Sequence, residues 1–117
     1  MFGKGRVLIV EDDFAVVEML KLMLSEYHVE VATNGFEAVE KYKTFEPDVV
    51  LMDIVMPVMD GIQATKEILS IDKNAKVIGI TAFGKHKGDE MLEAGAVHIL
   101  EKPITKKSLT NSIDRYL

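Results

Sequence analysis

Five short apolar runs, separated by segments with helical patterning, constrain this chain more than any other feature. The runs fall at roughly 6–10, 28–32, 48–52, 76–80 and 97–100, and helical patterns fill 14–26, 35–44, 61–71, 85–94 and 105–117. Strand and helix alternating over short connections read as a parallel sheet with helices on both faces. The inner runs are continuously apolar rather than alternating, as expected of strands covered on both sides, and right-handed crossovers are then nearly obligatory. Parallel strands bring all their C-terminal ends to one edge, which is where open α/β sheets bind ligands.

Reactive side chains stand at those ends. Val7-Leu8-Ile9-Val10 leads into Glu11 and Asp12, and Val49-Val50-Leu51-Met52 delivers Asp53. The run from Lys76 to Ile80 ends at Thr81-Ala82, and the run from Val97 to Leu100 ends just before Lys102-Pro103. Carboxylates, a hydroxyl and an amine thus follow four strands and meet if the strands are parallel. Asn34-Gly35 and Asp60-Gly61 mark the starts of helices. Asp60 is expected to cap the third helix, with Gln63 reaching back from the N3 position. The fourth helix opens with the polar stretch Lys85-His86-Lys87-Gly88-Asp89-Glu90 and is expected to be the least stable.

Composition narrows the function classes. At 117 residues and 48% hydrophobic, the chain is long and apolar enough for one domain with a real core. A net charge of -5 disfavours nonspecific binding to nucleic acid or anionic membrane. No apolar stretch approaches the ~18 residues of a membrane span, and the run after the basic start is too short for a signal peptide. The absence of cysteine removes disulfides and thiolate chemistry and is compatible with a reducing cytoplasm, the expected location. No linker or repeat interrupts the chain, so a single domain over 1–117 is expected.

Five motifs in order now resemble one family, the receiver domains of two-component response regulators. They are Val7 to Asp13, Leu51-Met52-Asp53, Met56 to Gly61, Thr81-Ala82 and Glu101-Lys102-Pro103. Each is weak alone: Glu11-Asp12-Asp13 by itself is more often an acidic helix start, Asp53 a turn acid, and Lys102 a solvated lysine. The resemblance covers essentially the whole chain. It implies a doubly wound five-stranded sheet in the order 2-1-3-4-5 with five helices on both faces.

It also implies a role for each matched residue. Asp53 accepts a phosphoryl group from a phosphohistidine on a sensor histidine kinase or phosphotransfer protein, and a carboxylate is a competent nucleophile for that. Asp12, Asp53 and the Val55 carbonyl would ligate Mg²⁺ directly, with Glu11 acting through a water; Mg²⁺ suits carboxylates plus phosphate oxygens. Asp13 is placed as the cap of the first helix. Thr81, Ala82 and Lys102 would receive the phosphoryl group, Lys102 by charge, Thr81 by its hydroxyl and Ala82 by leaving access. The Lys102-Pro103 bond is a cis candidate. Thr81 and residue 99 would form the switch, but Ile99 stands where many receivers carry an aromatic ring, and it cannot make the same swing. Val55 and Phe83 occupy the two positions that influence hydrolysis, and both are apolar. His28, His86 and His98 lack ligand spacing, and the seven methionines read as core filler.

The first helix is apolar beyond one face. At ~100° per residue, Val16, Val17, Leu20, Met23 and Leu24 form the stripe for the sheet. Phe14, Ala15, Met19 and Leu22 are left over, and with Ile104 they are the expected kinase-docking residues, packing on a neighbouring helix being the plainer reading.

Three functions compete. A phosphoacceptor signalling module, cycling its own phosphoryl group but turning over no substrate, is the expectation; its downstream effector is not named by the sequence, and neither nucleic acid nor membrane is expected as a direct partner. An aspartate-nucleophile phosphohydrolase would want a second acid where Val55 stands. A flavodoxin-like cofactor carrier would want a phosphate-cradling loop where Glu11-Asp12-Asp13-Phe14 would repel phosphate.

Overall fold

The computed structural model describes residues 3–82 and 85–117, with the side chains of Lys85 and His86 left out. Its elements are β1 (Arg6–Val10), α1 (Phe14–Met23), β2 (His28–Ala32), α2 (Gly35–Phe45), β3 (Val49–Asp53), α3 (Gly61–Ile71), β4 (Val77–Thr81), α4 (Lys85–Glu93), β5 (His98–Glu101) and α5 (Lys106–Arg115). The five strands form one sheet in the order β2-β1-β3-β4-β5, and every pairing is parallel.

Strand alternation divides the core in two. Leu8, Val10, Val50, Met52 and Val77 face α2, α3 and α4, where Ala38, Tyr42, Ile68 and Met91 meet them. Val7, Ile9, Val49, Leu51, Ile78 and Ile80 face α1 and α5, through Leu20, Leu24, Leu109 and Ile113. Both faces of β3 are buried, which is why its sequence is an unbroken apolar run. Truncating a fully buried residue such as Ile9 or Leu51 to alanine would cost about 2–5 kcal/mol. The α1 stripe lies as its periodicity indicates: Val17, Leu20 and Leu24 are buried, with Val16 and Met23 packed beside them.

The structure differs from the sequence expectations at several ends. β3, β4 and β5 each run one residue further, so Asp53, Thr81 and Glu101 are themselves strand residues. α1 stops at Met23 rather than near 26, because the Tyr27 N–H bonds to the Leu24 carbonyl and turns the chain so that the Tyr27 ring is buried. α5 begins at Lys106, since Thr105 is its cap and shares a capping box with Ser108. Asp60 caps α3 by accepting from the Gln63 N–H at 2.9 Å, but the Gln63 side chain reaches forward to Glu67 instead of back, so no capping box forms there. Met52, Met56 and Met91 are core residues, whereas Met19 is exposed. Among the described residues, no helix is long and apolar enough to cross a membrane.

Candidate functional site

The acid cluster is assembled by the ends of β1 and β3. The Glu11 N–H bonds to the Ala32 carbonyl at 3.0 Å, which prolongs the β1–β2 pairing by one residue and turns the Glu11 side chain inward, to 2% exposure. Asp12 stays exposed. Asp13 leaves the cluster: its Oδ1 accepts from the Ala15 N–H at 2.9 Å and the Val16 N–H at 3.4 Å, capping α1. Asp53, at 7% exposure, ends β3 beside Ile80 of β4. Glu11, Asp12 and Asp53 each offer a carboxylate oxygen, and these oxygens lie within 4.8 Å of one another.

Three negative groups so close, two of them buried, are electrostatically costly. Burial, reinforced by the charge of Asp53, raises the Glu11 carboxyl to about 7, against the Asp13 N–H and the Lys102 ammonium, which lower it. Burial also raises Asp53, opposed first by Lys102 and then by hydrogen bonds that include the Val55 N–H. Lys102 Nζ stands 3.9 Å from Glu11 Oε1, and that oxygen is buried with no hydrogen-bond partner among the described residues. An orphaned buried carboxylate oxygen is rare and calls for a missing positive group.

The rest of the edge closes round the acids. Thr81 ends β4, buried, and its carbonyl accepts from the Lys102 N–H at 2.9 Å, which ties the end of β5 to the site. The Lys102–Pro103 peptide bond is cis, and Ala82 is exposed beside Thr81. The β3–α3 loop is held tightly: the Gly61 N–H bonds to the Ile54 carbonyl at 2.8 Å, and a Cβ on Gly61 would run into the Asp53 carbonyl. Within it, the Met59 N–H bonds to the Pro57 carbonyl at 2.8 Å, a three-residue turn that holds Val58 at φ 70° and leaves it 90% exposed. Positive φ is a strained conformation for a β-branched residue, and nothing in the sequence announces it. Val55 also presents its side chain to solvent. Phe83 lies outside the described residues.

Ile99 is half-buried on the α4 side of the sheet, against Gly79 and Gly88. Phe14 and Leu22 are 77% and 78% exposed, and Ala15 and Met19 are exposed with them, so they do not pack against a neighbouring helix. Ile104 parts from this group. It is 8% exposed and sits in the core with Ile80, Leu100 and Leu109, because the turn after β5 points it inward, so it is not a surface residue for docking. A groove of about 330 Å³ runs from Glu11 and Asp12 along α1, past Phe14, Val17 and Lys21.

A family model for the response regulator receiver domain matches residues 7–114. This chain belongs to that family. The receiver domain is 45% identical over 114 residues to the chemotaxis protein CheY of Thermotoga maritima, covering 94% of this chain and 95% of that protein. It is 41% identical to the chemotaxis protein CheY of Halobacterium salinarum, covering 96% of each. Among solved structures it resembles the receiver domain of the sensor histidine kinase PA1611 from Pseudomonas aeruginosa, which holds a magnesium ion in its active-site cleft. The TM-score is 0.91 at 28% identity, covering 97% and 98% of the two chains. A CheY from Borrelia burgdorferi, solved with CheX, BeF3 and magnesium, gives 0.87 at 36% identity, covering 96% and 89%. The receiver domain is a phosphoacceptor signalling module of the two-component kind.

Proposed function

We propose that Asp53 is the phosphoacceptor of this receiver domain, and that residues 1–117 act as one such unit. The observation that carries the reading is the convergence of Glu11, Asp12 and Asp53 within 4.8 Å, with the Lys102 ammonium beside an orphaned Glu11 oxygen. That donor set fits Mg²⁺, a hard cation that takes carboxylate oxygens and keeps waters. Asp12, Asp53 and the Val55 carbonyl would hold it directly and Glu11 through a water; bound there, it supplies positive charge against the acids and the incoming phosphoryl oxygens.

The chain's own groups do the rest. An Asp53 carboxylate oxygen attacks phosphorus, forming an O–P bond as the N–P bond of a phosphohistidine breaks; the imidazole leaves with the electron pair and takes up a proton. Lys102 adds charge to the phosphoryl oxygens, Thr81 adds a hydrogen bond, and Ala82 keeps the approach open. The donor is a sensor histidine kinase or phosphotransfer protein. Phe14, Ala15, Met19 and Leu22 form its docking surface, supported by their exposure beside the acid cluster.

Incubation with Mg²⁺ and a small phosphodonor is expected to label Asp53, at most one phosphoryl group per chain, and Asp53→Asn to abolish the label, since an amide is a poor nucleophile. Full labelling of Asp53→Asn would overturn the assignment, and steady turnover of many phosphoryl groups per chain would favour a phosphohydrolase. Phe14→Ser or Leu22→Ser is expected to impair transfer from the kinase and to leave small-donor labelling nearly unchanged. Equal loss of both points to misfolding, and unimpaired kinase transfer removes α1 from the interface.

A further inference from the structure

Most glycines here are required by their surroundings. Gly35, Gly61, Gly79 and Gly95 each stand where a Cβ would press within 3.0 Å of a neighbour, and Gly5 and Gly95 have positive φ. Gly88 is different. It lies inside α4, buried, in ordinary helical backbone. A Cβ there would meet only Ile99, at 3.5 Å from Cγ2 and 3.8 Å from Cγ1, which is ordinary van der Waals contact. Alanine would therefore fit, fill the seam between α4 and β5, and suit the helix better.

The seam lies opposite a firm anchor. One turn on, Met91 is fully buried and occupies the space that Gly79 vacates: a Cβ on Gly79 would come 2.8 Å from Met91 Cγ and 2.9 Å from Ile99 Cδ1. Met91 also touches the buried Thr65 hydroxyl of α3 at 3.5 Å. α4 is thus held at Met91 and lightly held at Gly88, the end nearer Thr81 and Asp53.

We infer that the Gly88–Ile99 seam is a hinge-side slack contact that lets the first part of α4 lift from β5 about Met91 when a phosphoryl group engages Thr81. This rests on the reading of Asp53 as phosphoacceptor. It gives Ile99 a part in the switch that needs no ring swing: the helix moves over the side chain, rather than the side chain moving under the helix.

Hydrogen exchange of the α4 amides, with and without Mg²⁺ plus beryllofluoride as a phosphoryl mimic, tests it. In the wild type the mimic is expected to speed α4 exchange at least threefold, roughly. Gly88→Ala is expected to slow α4 exchange about fivefold without the mimic and to remove most of the response to it. Asp89→Ala, an exposed neighbour with a similar gain in helix preference, is expected to keep the response. If Gly88→Ala responds like the wild type, or Asp89→Ala loses the response equally, the seam is not the device. If the mimic binds but α4 does not respond in the wild type, this inference falls and the phosphoacceptor reading stands. If the mimic does not bind at all, both fall.

Discussion

The two edges of the sheet are built on opposite rules. At the N-terminal edge every polar group described has a partner. The Arg6 N–H bonds to Asp48 at 2.9 Å, while the Arg6 guanidinium bonds to the Phe45 carbonyl and lies 4.5 Å over the Phe45 ring. The Tyr27 hydroxyl donates to Asp114 at 2.6 Å, Asp114 pairs with Lys4 at 3.7 Å, and the Tyr116 hydroxyl donates to the Val97 carbonyl. At the C-terminal edge three carboxylates crowd together, one oxygen is orphaned and Val58 is held at positive φ. Strain of that backbone kind costs on the order of 1–3 kcal/mol. One edge stabilises the fold; the other is held against its own electrostatics by the fold, as sites built for charged ligands are.

The comparison breaks first on pH. Glu11 ionises near its ordinary value of 4.5 in the unfolded chain and at about 7 in the fold. Below the lower value both states hold the proton and nothing is lost. Between the two, the unfolded chain has released its proton and the fold has not, so stability falls as pH rises and levels off above about 7. The loss is on the order of 3 kcal/mol. Melting curves of the metal-free protein at pH 5 and pH 8 should show it, and Glu11→Gln should flatten the difference. A wild type that melts higher at pH 8 than Glu11→Gln would show that the acid is not strained.

Mg²⁺ should reverse the same cost. A ligand at a hundredfold excess over its Kd stabilises by about 2.7 kcal/mol, so the melting temperature should climb with added Mg²⁺. Asp12→Ala should lose most of that climb, and Asp53→Asn or Asp12→Asn should raise the metal-free melting temperature by relieving repulsion. If none of these neutralisations stabilises the metal-free protein, the acids do not act on one another.

The smallest effect belongs to the other edge. Tyr27→Phe removes the bond to Asp114 and should cost about 1 kcal/mol in denaturant midpoint, with phosphoryl labelling unchanged. A change in labelling rate would mean that the two edges are coupled through β1, and their separation would fail.

Residues that act through local pattern were legible in the chain. Val17, Leu20 and Leu24 of α1 follow from periodicity, and Asp13, Asn34 and Asp60 as caps follow from their places before helices. Gln63 did not follow: whether a side chain reaches back to its cap or forward to Glu67 depends on competing partners a few ångströms apart. Ile104 did not follow either, since only the turn after β5 decides whether that side chain faces solvent or the core.

By itself the sequence determined the order of elements, the parallel sheet and the edge at which Glu11, Asp12, Asp53, Thr81 and Lys102 stand, because hydrophobic period and chain connectivity are properties of neighbours along the chain. Only the tertiary structure decided that Glu11 is buried while Asp12 is exposed, that Asp13 leaves the cluster, that Val58 is strained, and that α4 rests on Met91 with slack at Gly88. Those depend on burial, and burial depends on residues brought together from β1, β3, β4 and β5 by packing, whose contacts no local pattern records.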